Sequence, residues 1–90
     1  MINLELRNEW LRLAAEALKC IQVLPEPDRT KTQKVIDTII DLLNNNSEPQ
    51  TWDFSLLAYG ATLSKEYDCE PYFSELEPVY YLFNELLLAS

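Results

Sequence analysis

The sequence predicts an all-α fold, a small antiparallel four-helix bundle, and three observations carry that prediction. Four stretches place apolar residues at steps of three and four, the spacing of one helix face. Short breaks rich in Pro, Asn and Ser separate them, and connections of this length favour up-and-down neighbours. The 90 residues hold a single glycine, and 48% of them are hydrophobic against 24% charged, a composition that folds around a core instead of staying disordered. Residues 1–90 are therefore expected to form one helical domain.

The first helix is expected over about Asn3 to Leu24. Leu6, Trp10, Leu13, Ala17, Ile21 and Leu24 share one face, Leu11, Ala14 and Leu18 broaden it, and Arg7, Glu9, Arg12, Glu16 and Lys19 fall outside. Pro25 and Pro27 stop it, since each lacks an amide donor and restricts the residue before it. A second helix should begin near Asp28 or Thr30, with Thr30 and Gln33 at capping-box spacing. Val35/Ile36, Ile39/Ile40 and Leu42/Leu43 come in pairs at helical intervals, which favours helix over strand for this β-branched stretch. Asn44, Asn45 and Asn46 end it, because asparagine tolerates the left-handed conformation common just past a helix.

Positions 47–50 read as a loop. The third helix follows the steps Trp52, Leu56, Tyr59, Leu63 and Tyr67, and the length of that pattern outweighs a brief alternation of Trp52, Phe54 and Leu56. Gly60 lies inside it at a cost of about 1 kcal/mol relative to alanine, a cost that close approach of a neighbouring helix or a partner would explain. After a turn at Asp68 to Pro71, the terminal stripe runs through Tyr72/Phe73, Leu76, Val79/Tyr80, Phe83 and Leu86/Leu87. Ser74 and Glu77 fit a capping box, and Pro78 predicts either a start at about Ser74 or a short extra helix or kink near Pro78. Beyond it the apolar character spreads all round the helix, through Tyr81, Leu82 and Leu88.

Charge is unevenly placed. Residues 1–45 hold seven acids and six bases, whereas residues 46–90 hold eight acids and Lys65 alone, so −7 of the net −8 belongs to the second half. Such a field repels nucleic acid and anionic lipid and steers the chain towards a basic protein surface. The opening MINLELRNEW has early charges and no apolar run, and no stretch reaches bilayer length; neither a secretory signal nor a membrane span is expected. Cys20 and Cys69 are widely spaced and read as free thiols in a reducing compartment, the cytoplasm.

The residue inventory speaks against catalysis. Without histidine the usual base near neutral pH is missing, along with the Ser-His and Cys-His nucleophile pairs. One glycine cannot build a phosphate loop or a dinucleotide fingerprint. DCEPYFSELE also lacks the loop spacing and glycine of a calcium site, so neither metal nor cofactor is expected.

What remains is an acidic, aromatic stretch. Glu66, Tyr67, Asp68, Glu70, Tyr72, Glu75 and Glu77 make up the expected partner-binding surface: carboxylates can pair with arginine or lysine while tyrosine rings contact them. Phe73 and Tyr81 flank the same acids. The favoured function is a non-enzymatic binding protein that occupies a basic, nucleic-acid-handling protein, carboxylates standing where phosphates would lie. In size and charge alone it is comparable with nuclease immunity proteins and phage anti-defence proteins. The alternative is a structural or adaptor subunit, most simply a homodimer, assembling through Tyr81, Leu82 and Leu88. Direct nucleic-acid binding is disfavoured.

Overall fold

A computed structural model describes residues 2–90, and the regular elements among them are all helical. Helix α1 spans Leu4–Cys20, α2 Asp28–Asn44, α3 Phe54–Glu66, the single turn α4 Tyr72–Glu75, and α5 Glu77–Ala89. Tighter 3-10 turns follow α1 at Ile21–Val23 and precede α3 at Pro49–Thr51.

The four longer helices alternate in direction. Arg7 Nη1, early in α1, donates to Asn46 Oδ1 just past α2 at 3.1 Å. Thr32, early in α2, meets the Tyr59 hydroxyl of α3 at 2.9 Å. Tyr80, early in α5, donates from its hydroxyl to the Tyr67 carbonyl at the end of α3, 3.0 Å away. Helix α1 packs against α2 and α5, and α5 packs in turn against α3. The core is continuous from Trp10, Leu13, Ala14 and Ala17 through Ile36, Ile39 and Leu43 to Leu57, Leu63, Val79, Phe83 and Leu86. Among the described residues no helix is long and apolar enough to cross a membrane.

Local chemistry explains each boundary. Asn3 caps α1, its side-chain oxygen accepting from the Leu6 amide at 3.1 Å. The expected α1 stripe is buried from Trp10 to Leu24, but Leu6, in the first turn, is exposed. At α2 the Thr30–Gln33 box does not form. The upstream carboxylate of Glu26 takes its place, accepting from the Thr30 amide at 3.1 Å, the Thr30 hydroxyl at 2.5 Å and Arg29 Nε at 3.1 Å. Those donors, the Thr30 hydroxyl foremost, hold Glu26 below the usual carboxylate range.

Helix α2 ends as the three asparagines predict. Asn46 adopts φ 58°, the Ser47 amide reaches back to the Leu42 carbonyl at 2.9 Å, and the Asn46 amide to Leu43 at 3.1 Å. That pair of bonds is a Schellman closure with asparagine in the left-handed position.

Helix α3 begins two residues later than its stripe suggested. Trp52 is extended and buried ahead of it, its indole N–H donating to Ser47 Oγ at 3.1 Å, and Asp53 supplies the cap by accepting from the Ser55 amide at 3.0 Å. The buried face is accordingly Leu57, Gly60 and Leu63, with Leu56, Tyr59 and Tyr67 at its margins.

The chain breaks at Leu76, between α4 and α5, and Pro78 falls in the first turn of α5, where few helical bonds are lost. A short extra helix before Pro78 is thus present, but the Ser74–Glu77 box is not. Ser74 Oγ donates instead to the Glu70 carboxylate, 3.3 Å from either oxygen.

Candidate functional site

Helix α5 is covered on two sides, by α1 and by α3. That arrangement corrects the expectation for Leu82, which is 0% exposed and belongs to the core, not to an outer interface. The uncovered stripe is Glu77, Tyr81, Asn84 and Leu88, all exposed and spaced by four, three and four. Tyr81 is 55% and Leu88 77% exposed, as the assembly reading requires of them.

The acidic stretch divides into a structural part and an open part. Tyr67 and Tyr72 belong to the first. The Tyr67 hydroxyl donates a short hydrogen bond to the Asp28 carboxylate at the start of α2, and its carbonyl receives the Tyr80 hydroxyl. Tyr72 meets the Tyr67 ring edge-on, centroids 4.9 Å apart at 63°. Both are half-buried, so they tie the α3–α4 turn to α2 and α5 and are not free anchors for a partner. The carboxylate facing Tyr67 holds its phenol far above the ordinary tyrosine value, with burial adding to the effect.

Glu66, Asp68, Glu70, Glu75 and Glu77 form the open part. All five are exposed, and among the described residues none of them is in an ion pair. The contrast with the first half is direct: Arg12 bridges Glu9 and Glu16, and Arg29 pairs with Glu26. Unneutralised charge is therefore concentrated where α3, α4 and α5 meet.

The fold adds a cleft there. A groove of about 690 Å³ runs between α3 and α5, with Lys65, Asp68, Phe73, Glu77, Tyr80 and Tyr81 along it. A smaller one of about 410 Å³ lies on the α1 side of the same ridge, taking in Glu16, Glu75, Glu77 and Tyr81. Glu77 and Tyr81, one helical turn apart, separate the two. Phe73 is 54% exposed, and its backbone amide donates to the Cys69 carbonyl at 2.7 Å. Tyr80 is half-buried, and with its hydroxyl committed to Tyr67 it offers the groove chiefly its ring. Burial raises its phenol, with the nearby charges of Asp68 and Cys69 contributing less.

Of the expected partner-binding residues, Asp68 and Glu77 line the larger groove and Glu75 the smaller; Glu66 and Glu70 lie outside both. Phe73, which flanks the acids in the sequence, lines the groove with them, and Tyr80 and Lys65 join the surface without having been assigned to it from the sequence. Phe73 precedes Glu77 by four positions and Tyr81 by eight, but the helix breaks at Leu76 between them, so spacing along one helix face does not bring the three together. Among the described residues, no group of three or more carboxylate and thiol side chains is placed to hold a metal ion. In comparisons with protein-family models, with curated proteins and with solved structures, nothing matches this chain.

Proposed function

We propose that this chain is a non-enzymatic binding protein that occupies a basic surface of another protein, one that handles nucleic acid. The observation that carries the reading is the side-by-side exposure of Phe73 and Tyr81 next to the unpaired carboxylates Asp68 and Glu77 in an open groove. Large aromatic side chains are normally withdrawn from water, and rings beside free acids suit a cationic protein patch: the charges guide the encounter and the rings supply desolvated contact. A surplus of −7 in residues 46–90 extends the guiding field around the groove. Blocking a site that binds phosphates follows from the same geometry, because carboxylates and phosphates compete for the same basic side chains. Cys20 and Cys69 are free thiols, which suits action in the reducing cytoplasm.

The test compares wild type with an Asp68→Lys, Glu77→Lys, Tyr81→Ala variant as bait in cells of the native host and of its competitors. Retention of a basic nucleic-acid-handling protein by wild type alone, with loss of that protein's nucleic-acid binding when the chain is added, supports the reading. Equal recovery of every protein by both baits refutes it.

A second reading, self-assembly, is favoured by a different observation. Leu4, Phe54 and Leu88 are exposed, and the alternation of helix directions places all three at the end of the bundle opposite the acids. Two copies joined there would keep their acidic ends apart. Sedimentation equilibrium decides it: a mass that doubles with concentration, and returns to that of one chain on Leu88→Glu, supports assembly.

A further inference from the structure

The groove between α3 and α5 holds more than negative charge, and its composition bears on which cation it takes. Three aromatic side chains, Phe73, Tyr80 and Tyr81, share it with two carboxylates, Asp68 and Glu77. One of the rings is fixed before any partner arrives, Tyr80 by its hydrogen bond to the Tyr67 carbonyl, while the backbone of Phe73 is anchored by its amide bond to the Cys69 carbonyl. The carboxylates are exposed and unpaired among the described residues, so no internal bridge must break for them to receive a donor. Lys65 is the one base among the residues that line the groove.

Within the proposed binding function, on which this step rests, we infer that the groove is a seat for an arginine side chain of the partner. The guanidinium lies against the aromatic side chains and its N–H fork reaches Asp68 or Glu77. Lysine suits the same place less well. Its ammonium is a compact, strongly hydrated point charge with no flat face to lay on a ring, whereas guanidinium is planar, more weakly hydrated and able to donate two parallel bonds to one carboxylate. Carboxylates alone distinguish the two cations only through the guanidinium fork, and the aromatic faces add a preference that the ammonium cannot match. At about 690 Å³ and open to solvent, the groove has room for a side chain of that size. The seat also assigns Phe73 a role: it is the aromatic residue that α4 contributes to the site.

The experiment titrates the intact chain with two short peptides of identical length and charge, one carrying arginines and the other lysine at each of those positions. Backbone-amide chemical shifts of Phe73, Tyr80 and Tyr81 are followed in wild type, in Tyr81→Ala and in Asp68→Asn/Glu77→Gln, each first checked by circular dichroism for an unchanged helical fold. The expected result is binding of the arginine peptide about tenfold tighter than the lysine peptide, with that preference lost in Tyr81→Ala and binding of both peptides weakened in the amide variant. Equal affinities for the two peptides, both abolished by the amide variant, overturn the arginine seat while leaving the occupation function standing on charge alone. Failure of either peptide to perturb these amides also overturns the seat, and the function is then judged by the capture experiment above. Shifts at the same amides that grow with protein concentration in the absence of peptide identify a second copy as the occupant and overturn it as well.

Discussion

The ring of Phe83 lies where the Cβ of any other residue at position 60 would stand, so Gly60 sets how closely α3 and α5 approach. Both residues are buried, and the groove proposed for binding runs along the seam that this contact closes. Gly60→Ala recovers about 1 kcal/mol of helix propensity but forces the ring or the helix to move, and a net loss of about 1–3 kcal/mol is expected. Urea denaturation measures it. The same substitution should cost less in a Phe83→Leu background; an equal cost in both backgrounds would show that the ring contact is not its cause.

Tyr67 and Asp28 make the chain's stability sensitive to alkali. The phenol is held above its ordinary value in the folded state, first by its hydrogen bond to the Asp28 carboxylate and then by burial. In the unfolded chain it loses its proton near pH 10, while the folded chain keeps it to higher pH. The contribution is therefore complete below about pH 10 and fades above it, since unfolding there releases a proton, at up to about 1.4 kcal/mol per pH unit. Tyr67→Phe should be less stable than wild type at neutral pH by about 1.5 kcal/mol, the lower end for a bond to a charged group. Its stability should then fall less steeply between about pH 10 and 11, with Tyr80 leaving a residual slope. Parallel stability curves for the two proteins would remove Tyr67 as the source.

Much of the bundle was legible in the sequence because helix spacing and helix stops are local signals. The stripe from Trp10 to Leu24, the asparagines after α2 and the interruption near Pro78 are each readable within a few residues, and each is present. The two capping boxes failed locally, because Glu26 and Glu70 took the donors of Thr30 and Ser74, whereas the misread faces depended on what packs against a segment. Leu82 looked surplus because spacing counts the apolar positions of α5 without recording that two neighbours, α1 and α3, cover it. The face of α3 was set one position off because Gly60, with no side chain to register in a hydrophobic pattern, is its point of closest approach. In the candidate site, the acids were evident from composition. Which tyrosines are tied inward and which face water was decided by Asp28, 39 residues before Tyr67, and no local spacing records that bond.

Thr32 and Tyr59 provide a polar link inside this apolar bundle. The fully buried Thr32 hydroxyl lies 2.6 Å from the Asp28 carbonyl and 2.9 Å from the Tyr59 hydroxyl. Tyr59→Phe leaves Thr32 its carbonyl partner, so the loss should be about 1 kcal/mol. Thr32→Val should cost a similar amount, because the half-buried Tyr59 hydroxyl can turn to water. Combined, the two substitutions should cost less than their sum, as they remove one shared bond. Strict additivity in thermal or urea unfolding would mean that the hydroxyl pair contributes nothing.

The sharpest separation of core from surface on α5 comes from two leucines six positions apart. Leu82 is fully buried on a helix that packs against α1 and α3, and Leu82→Ala should cost about 2–5 kcal/mol through lost burial and the cavity left behind. Leu88 faces outward, so Leu88→Ala should change the stability of one chain by no more than about 0.5 kcal/mol. Running both variants at several protein concentrations also tests the assembly reading. A Leu88→Ala loss that exceeds this value and grows with concentration would mean that its side chain is buried against a second copy. A small, concentration-independent effect leaves it as exposed surface and takes from the self-assembly reading its strongest support, while the groove beside Tyr81 is untouched by either outcome.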